Sequence, residues 1–198
     1  MREAELESIE AGTLSGIGSF RCDSCGFLIN LSRGDEVPVC PGCGGKRFEP
    51  APLFGTEQFE GRPWPESDAD DLSWLDEARR GISKPGQYLA YESGGDRVVV
   101  VPLSGEWTRI GRSLAADIRF DDPTVSRRHA LIVRQPDGVR VLDDRSLNGV
   151  FVNGERVEWS VLGDGDEILV GRHSLRFIDA SELPAVAPRS GGVASIGS

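Results

Sequence analysis

Nothing in this 198-residue sequence approaches the roughly 18 consecutive apolar residues that a membrane-spanning helix needs. The opening stretch MREAELESIE is acidic and has no apolar core, so it does not read as a secretory signal, and a cytoplasmic location is expected. Cysteine is absent outside residues 22–43, and without an export signal the four present are not expected to form disulfides. There are only two histidines, His129 and His173, and no G-x-S-x-G elbow, so Ser126 and His129 lack the companions of a hydrolase site. Positive charge is in short supply: 22 basic against 32 acidic residues give a net charge of −10, which attracts neither nucleic acid nor anionic lipid from a distance. Lysine is missing altogether from residues 86–180, where all twelve basic residues are arginines against fifteen acidic ones. Arginine alone suits planar, bidentate anion recognition, and it is equally what GC-rich coding produces.

What is present divides by composition. Residues 1–18 are acidic and then Gly/Ser-rich, and are expected to form a mobile arm. Residues 19–49 hold all the cysteines, and residues 50–85 form an acidic, Pro-rich linker. Within that linker, DADDLSWLDEARRG carries the marks of a short capped helix, with Asp at its start, Arg79 and Arg80 in the last turn and Gly81 after them. Trp64 and Trp74 there could dock on a neighbouring domain or anchor a partner. Residues 86–180 read as about ten short strands separated by GG, PDG, NG and GDGD turns, a β-sandwich pattern. Residues 181–198 have the Ala/Pro/Gly/Ser composition of disorder.

Cys22, Cys25, Cys40 and Cys43 form two C-x-x-C pairs fourteen residues apart. Two thiolates from each of two tight turns supply the corners of a tetrahedral site, and four thiolates leave no open position for water. The stretch resembles a zinc ribbon, which implies one structural Zn2+ held by these four residues. A redox C-x-x-C is the alternative, and it lacks the βαβ surroundings of that motif. Arg21, Arg33, Lys46 and Arg47 are balanced by Asp23, Asp35, Glu36 and Glu49, so the ribbon has no basic stripe and protein contact is favoured over nucleic acid.

In the C-terminal half, RIGRS (109–113), DPTVSRRHALI (122–132), DDRSLNGVFVNGERV (143–157) and LGDGDEILVG (162–171) follow one another in an order and spacing that resemble the forkhead-associated domain. The resulting fold class is mainly β: a small four-cysteine zinc ribbon joined by an acidic linker to a forkhead-associated β-sandwich. A phosphothreonine carries close to two negative charges and three acceptor oxygens, and holding it calls for guanidinium and hydroxyl donors. The resemblance implies that Arg112, Ser126 and Arg127 contact phosphate. Asn148, whose amide can serve an N–H and a C=O together, would grip the ligand backbone. Gly111, His129, Ser146 and Gly149 would support the binding loops. The sequence departs from the family at Leu147 and Val150, where threonine or serine is common, and this removes hydroxyl donors.

These readings imply a non-enzymatic phosphothreonine-peptide adaptor of serine/threonine kinase signalling, with phosphothreonine proteins and a kinase as partners. The family also includes members whose own phosphorylated threonine folds onto the domain; here Thr13 and Thr56 are the candidates for such a self-ligand. Three alternatives stand beside this reading. They are a nucleic-acid factor using the ribbon, a scaffold that has lost phosphate binding, and a metal-assisted hydrolase, the last disfavoured by the all-thiolate ligand set.

Overall fold

The computed structural model describes residues 8–14, 16–51, 73–94 and 97–182. Thr56, Trp64 and the tail after Glu182 lie outside them.

The cysteine module is a four-stranded antiparallel sheet of β1 (Ile9–Glu10), β2 (Gly18–Cys22), β3 (Leu28–Leu31) and β4 (Arg47–Pro50), in the order β1-β4-β2-β3. Alternating residues point inward, as strand geometry requires. Phe20, Cys22, Ile29, Leu31 and Phe48 bury against Phe27 and Val37. The stretch expected as a free arm contributes β1: Ile9 packs on this core, and the Ala11 N–H donates to the Lys46 carbonyl at 2.7 Å. At the other side β3 pairs only with β2, which leaves the second edge of β3 open within its own sheet.

Helix α1 (Ser73–Gly81) places Asp76 in its first turn and Arg79 and Arg80 in its last, complementing its dipole. It lays Leu75 and Ala78 on Ala90 and Ile178 of the following domain, with Trp74 against the same cluster. That domain contains eleven strands: β5 (Gln87–Ser93), β6 (Arg97–Pro102), β7 (Trp107–Gly111), β8 (Ile118–Arg119), β9 (Ala130–Gln135), β10 (Gly138–Asp143), β11 (Val150–Val152), β12 (Glu155–Val157), β13 (Trp159–Leu162), β14 (Glu167–Val170) and β15 (His173–Asp179). One sheet has the order β13-β10-β9-β7-β8 and the other β12-β11-β14-β15-β5-β6. All pairings are antiparallel except β7 with β8.

Ile110, Ile132, Val139 and Val141 of the first sheet meet Leu89, Val150, Ile168, Leu175 and Phe177 of the second in a shared core. Two strands do not alternate. In β11 and β14 the residues between the core-facing ones, Phe151 and Leu169, are also buried, because they belong to the apolar core of the ribbon. The ribbon is therefore packed on the outer face of the sandwich.

Candidate functional site

Three loops meet at one end of the sandwich, following β7, β8 and β10. Gly111 makes their close approach feasible, since a Cβ there would stand 2.4 Å from the carbonyl oxygen of Arg127. Without it, the Arg112 N–H reaches the Ser126 carbonyl at 2.9 Å and the Ser113 N–H reaches that of Arg127 at 3.2 Å. His129 is fully buried between the second and third loops. Its Nδ1 accepts the Ser126 N–H at 3.1 Å, which leaves Nε2 to donate to the Gly149 carbonyl at 3.2 Å. Burial pushes its pKa down to about 4, so the ring is a neutral brace. Asp143 accepts from both the N–H and the hydroxyl of Ser146, and the Ser146 Oγ accepts the Gly149 N–H at 2.8 Å. That closes the third loop, with Gly149 at φ 91°.

On this frame the four expected binding residues share one rim. Ser126 Oγ accepts the Leu147 N–H at 3.1 Å. Arg128 is engaged by both oxygens of Asp144, at 2.8 and 2.6 Å, whereas the neighbouring Arg127 guanidinium is exposed and has no partner among the described residues. Asn148 is occupied by the ribbon, and so are both terminal nitrogens of Arg112, whose Nε also reaches Asp121 of the sandwich at 3.4 Å. Asn148 accepts the Leu28 N–H at 2.9 Å and donates to the Leu28 carbonyl at 2.7 Å. Two residues on, the Asn30 N–H donates to the Pro123 carbonyl at 2.8 Å, and the Asn30 carbonyl accepts from Arg112 Nη1 at 2.7 Å. The other arm of Arg112, Nη2, forms an ion pair with Asp35 at 2.5 Å, and the arginine side chain is only 11% exposed. The open edge of β3 is thus satisfied entirely by the sandwich loops.

Sequence reasoning passed over Leu28, Asn30 and Asp35. It also passed over Asp122, which fixes the loop that offers Pro123. Asp122 accepts from the N–H and hydroxyl of Thr124 and pairs with Arg172 at 2.5 Å. Burial alone would push its carboxyl up, but His173, Thr124 and Arg172 outweigh this and hold it far below the usual range. Burial likewise acts against Asp35, yet the Ser32 N–H and Arg112 hold its carboxyl below the usual range. A groove of about 690 Å³ remains beside the contact, lined by Ser19, Asn30 and Ser32 of the ribbon and by Arg112, Ser126 and Arg127 of the loops. Thr13, by contrast, hydrogen-bonds within the ribbon, to the Glu10 carbonyl at 2.6 Å.

The four cysteine sulfurs lie within 4.8 Å of one another, with Cys22–Cys43 at 3.6 Å and Cys25–Cys40 at 3.5 Å. A disulfide would require about 2.05 Å. A tetrahedral ion with bonds of about 2.3 Å sets its sulfurs about 3.8 Å apart, which this cluster fits. The two turns are alike: the Gly26 N–H donates to the Cys22 carbonyl at 3.0 Å, and the Gly44 N–H to that of Cys40 at 2.8 Å. Burial pushes the Cys25 thiol up to about 11 and Cys40 further, whereas at Cys43 burial is outweighed by hydrogen bonds from the Gly45 N–H and the neighbouring cysteines, which bring it below the usual thiol value. A cation at their centre would favour the thiolate form of all four.

Residues 108–171 match the FHA domain model, and residues 2–52 match that of a zinc-ribbon containing domain. The oxoglutarate dehydrogenase inhibitor of Corynebacterium jeikeium is 48% identical over 102 residues, which are 52% of this chain and 71% of that protein. The chain belongs to the forkhead-associated domain family. The glycogen accumulation regulator GarA of Mycobacterium tuberculosis is 45% identical over 71 residues, 36% of this chain and 44% of GarA. This FHA protein spans half or less of several other curated relatives. Among solved structures, the FhaA FHA domain complexed with the intracellular domain of Rv3910 is 32% identical, covering 46% of this chain and 99% of that one at a TM-score of 0.42. Mycobacterium tuberculosis EmbR in complex with a low affinity phosphopeptide is 35% identical, covering 56% and 29% at a TM-score of 0.45.

Proposed function

We propose that this FHA protein is a phosphothreonine-peptide-binding adaptor of serine/threonine kinase signalling, working in the cytoplasm without catalysis of its own. Arg112, Ser126 and Arg127 take the phosphate and Asn148 the peptide backbone. Gly111, His129, Ser146 and Gly149 hold the loops in place. Cys22, Cys25, Cys40 and Cys43 hold one structural Zn2+, which keeps the ribbon folded.

The observation that carries this reading is the two-point grip of Asn148 on the N–H and C=O of one extended residue, with Arg112 on an anionic group beside it. That is the pair of interactions an extended phosphopeptide requires. The relatives named for inhibition and regulation are consistent with a protein that acts by contact. A second reading, a scaffold without phosphate binding, draws on the ribbon already filling the grip.

A degenerate phosphothreonine peptide library and its unphosphorylated counterpart test the proposal. Phosphate-dependent capture that weakens in Arg127→Ala is expected. Equal capture of both libraries, or of neither, by the wild type and by a variant with a weakened ribbon contact would leave the scaffold reading standing.

A further inference from the structure

We infer that the ribbon is the internal ligand of this site: β3 and Asp35 occupy the phosphopeptide position without any phosphorylation, and a phosphopeptide binds by displacing them. The inference rests on the phosphothreonine reading and concerns how that same site is regulated.

Three features of the contact mark it as ligand-like. First, the groups engaged on the ribbon are main-chain groups of alternate residues, Leu28 and Asn30, which is how a groove reads any extended strand independently of its side chains. Second, the residues that engage them include Asn148 and Arg112, two of the four assigned to the phosphopeptide. Third, the shorter of the two carboxylate contacts of Arg112 is to Asp35 of the ribbon, standing where a phosphate oxygen would otherwise accept from Nη2; the other, Asp121 of the sandwich, reaches only Nε, at 3.4 Å. The Ser32 N–H donates to the same Asp35 oxygen at 2.7 Å and aims it at the guanidinium.

The stand-in is incomplete, and this makes displacement feasible. Asp35 brings one negative charge, whereas a phosphothreonine brings close to two and three acceptor oxygens. Arg127 and the Ser126 hydroxyl, which the ribbon does not engage, open onto the adjoining groove and remain for the phosphate alone. A phosphopeptide therefore has more to gain from these loops than the ribbon does. An unphosphorylated strand lacks that margin and must compete with an occupant tethered in the same chain, at high effective concentration. The ribbon lowers the apparent affinity of phosphorylated and unphosphorylated strands by the same factor, which takes the weaker, unphosphorylated strand below useful binding while leaving the phosphorylated one able to compete. The apparent affinity is the intrinsic one reduced by the fraction of molecules in which the ribbon has lifted.

The decisive experiment uses the full chain, a fluorescent degenerate phosphothreonine peptide library as probe, and hydrogen exchange at the Leu28 and Asn30 amides. Asp35→Asn keeps an acceptor for the Ser32 N–H and removes the charge; Asp35→Ala is the second variant, with thermal unfolding as the check on folding. Both variants are expected to bind the library about tenfold more tightly than wild type. Saturating peptide is expected to deprotect the two amides in the wild-type chain. Binding that is equal in all three proteins and leaves both amides protected overturns the internal-ligand inference and leaves the phosphopeptide reading intact. No binding by wild type or by either folded variant overturns the phosphopeptide reading, and the inference falls with it.

Discussion

Asn148 holds both main-chain groups of Leu28, a residue 120 positions earlier, with its amide oxygen on the N–H and its amide nitrogen on the carbonyl. The asparagine is buried, so this is the principal interaction of its side chain and not a surface contact. Removing the amide leaves two main-chain groups at the ribbon interface without partners, which weakens docking. In Asn148→Ala the Leu28 amide should exchange at least about tenfold faster than in wild type, measured by hydrogen–deuterium exchange. The Ile29 amide, on the inward side of β3, should change far less. Equal acceleration along the whole of β3 would indicate loss of the ribbon fold instead.

The two adjacent arginines predict opposite results. Arg128 is spent on Asp144 in an exposed ion pair, a type that typically adds little to stability. Arg127 has no such partner and faces the groove. Arg127→Ala should weaken phosphothreonine-peptide binding about tenfold with no change in melting temperature. Arg128→Ala should leave affinity within about twofold. Fluorescence anisotropy and thermal melts on both variants check this, and a reversed order would remove Arg127 from the site.

Gly111 should be intolerant of the smallest side chain. The Cβ of Gly111→Ala would meet the Arg127 carbonyl oxygen at 2.4 Å and its carbonyl carbon at 3.0 Å, both of them backbone atoms that cannot rotate away. Relief requires parting the first two loops, with the loss of the Arg112 and Ser113 N–H bonds. A cost of about 2–4 kcal/mol is expected in urea unfolding, along with weaker peptide binding.

The sandwich and the cysteine cluster were legible because each leaves a local record. Strands alternate, turns carry Gly and Asn, and metal-knuckle cysteines recur at fixed spacing. The rim residues were legible through four short blocks that only make sense together. What was not legible is the docking of one unit on the other, since main-chain groups of Leu28 and Asn30 carry no side-chain signature. One trace was present. VFV at 150–152 and ILV at 168–170 interrupt the alternation of a half-exposed sheet, and a sheet buried on both faces needs a cover. The ribbon supplies that cover through Phe151 and Leu169. A self-ligand expectation built on threonine carries no sign of this contact, in which the ribbon group on Arg112 is the carboxylate of Asp35; Thr56 lies outside the described residues.

The cysteine cluster flanks β3, the strand that Asn148 and Arg112 hold. β3 lies between the two knuckles in sequence, so loss of the ion should release the strand as well as the turns. One Zn2+ per chain is expected by elemental analysis. Chelation under reducing conditions should raise exchange at Leu28 and Asn30 while the buried amides of β9 and β15 stay protected. Simultaneous loss of protection in the sandwich would mean that the two units unfold together.

His129 should set a pH dependence of stability. Its charged form is disfavoured by burial, and its pKa falls from the usual 6.5 to about 4. In the unfolded chain the imidazole takes up a proton as the pH falls below about 6.5, while in the folded chain it stays neutral down to about 4. The unfolded state thus binds more protons throughout that window, and stability must decrease as the pH falls through it. The contribution is complete above about 6.5 and is lost by about 4, amounting to roughly 3 kcal/mol. His129→Gln, which can keep a donor and an acceptor in the same place, should start less stable at neutral pH and show a flatter profile between these limits. Urea midpoints across the window decide the matter, and an unchanged slope in the variant would assign the dependence to another group.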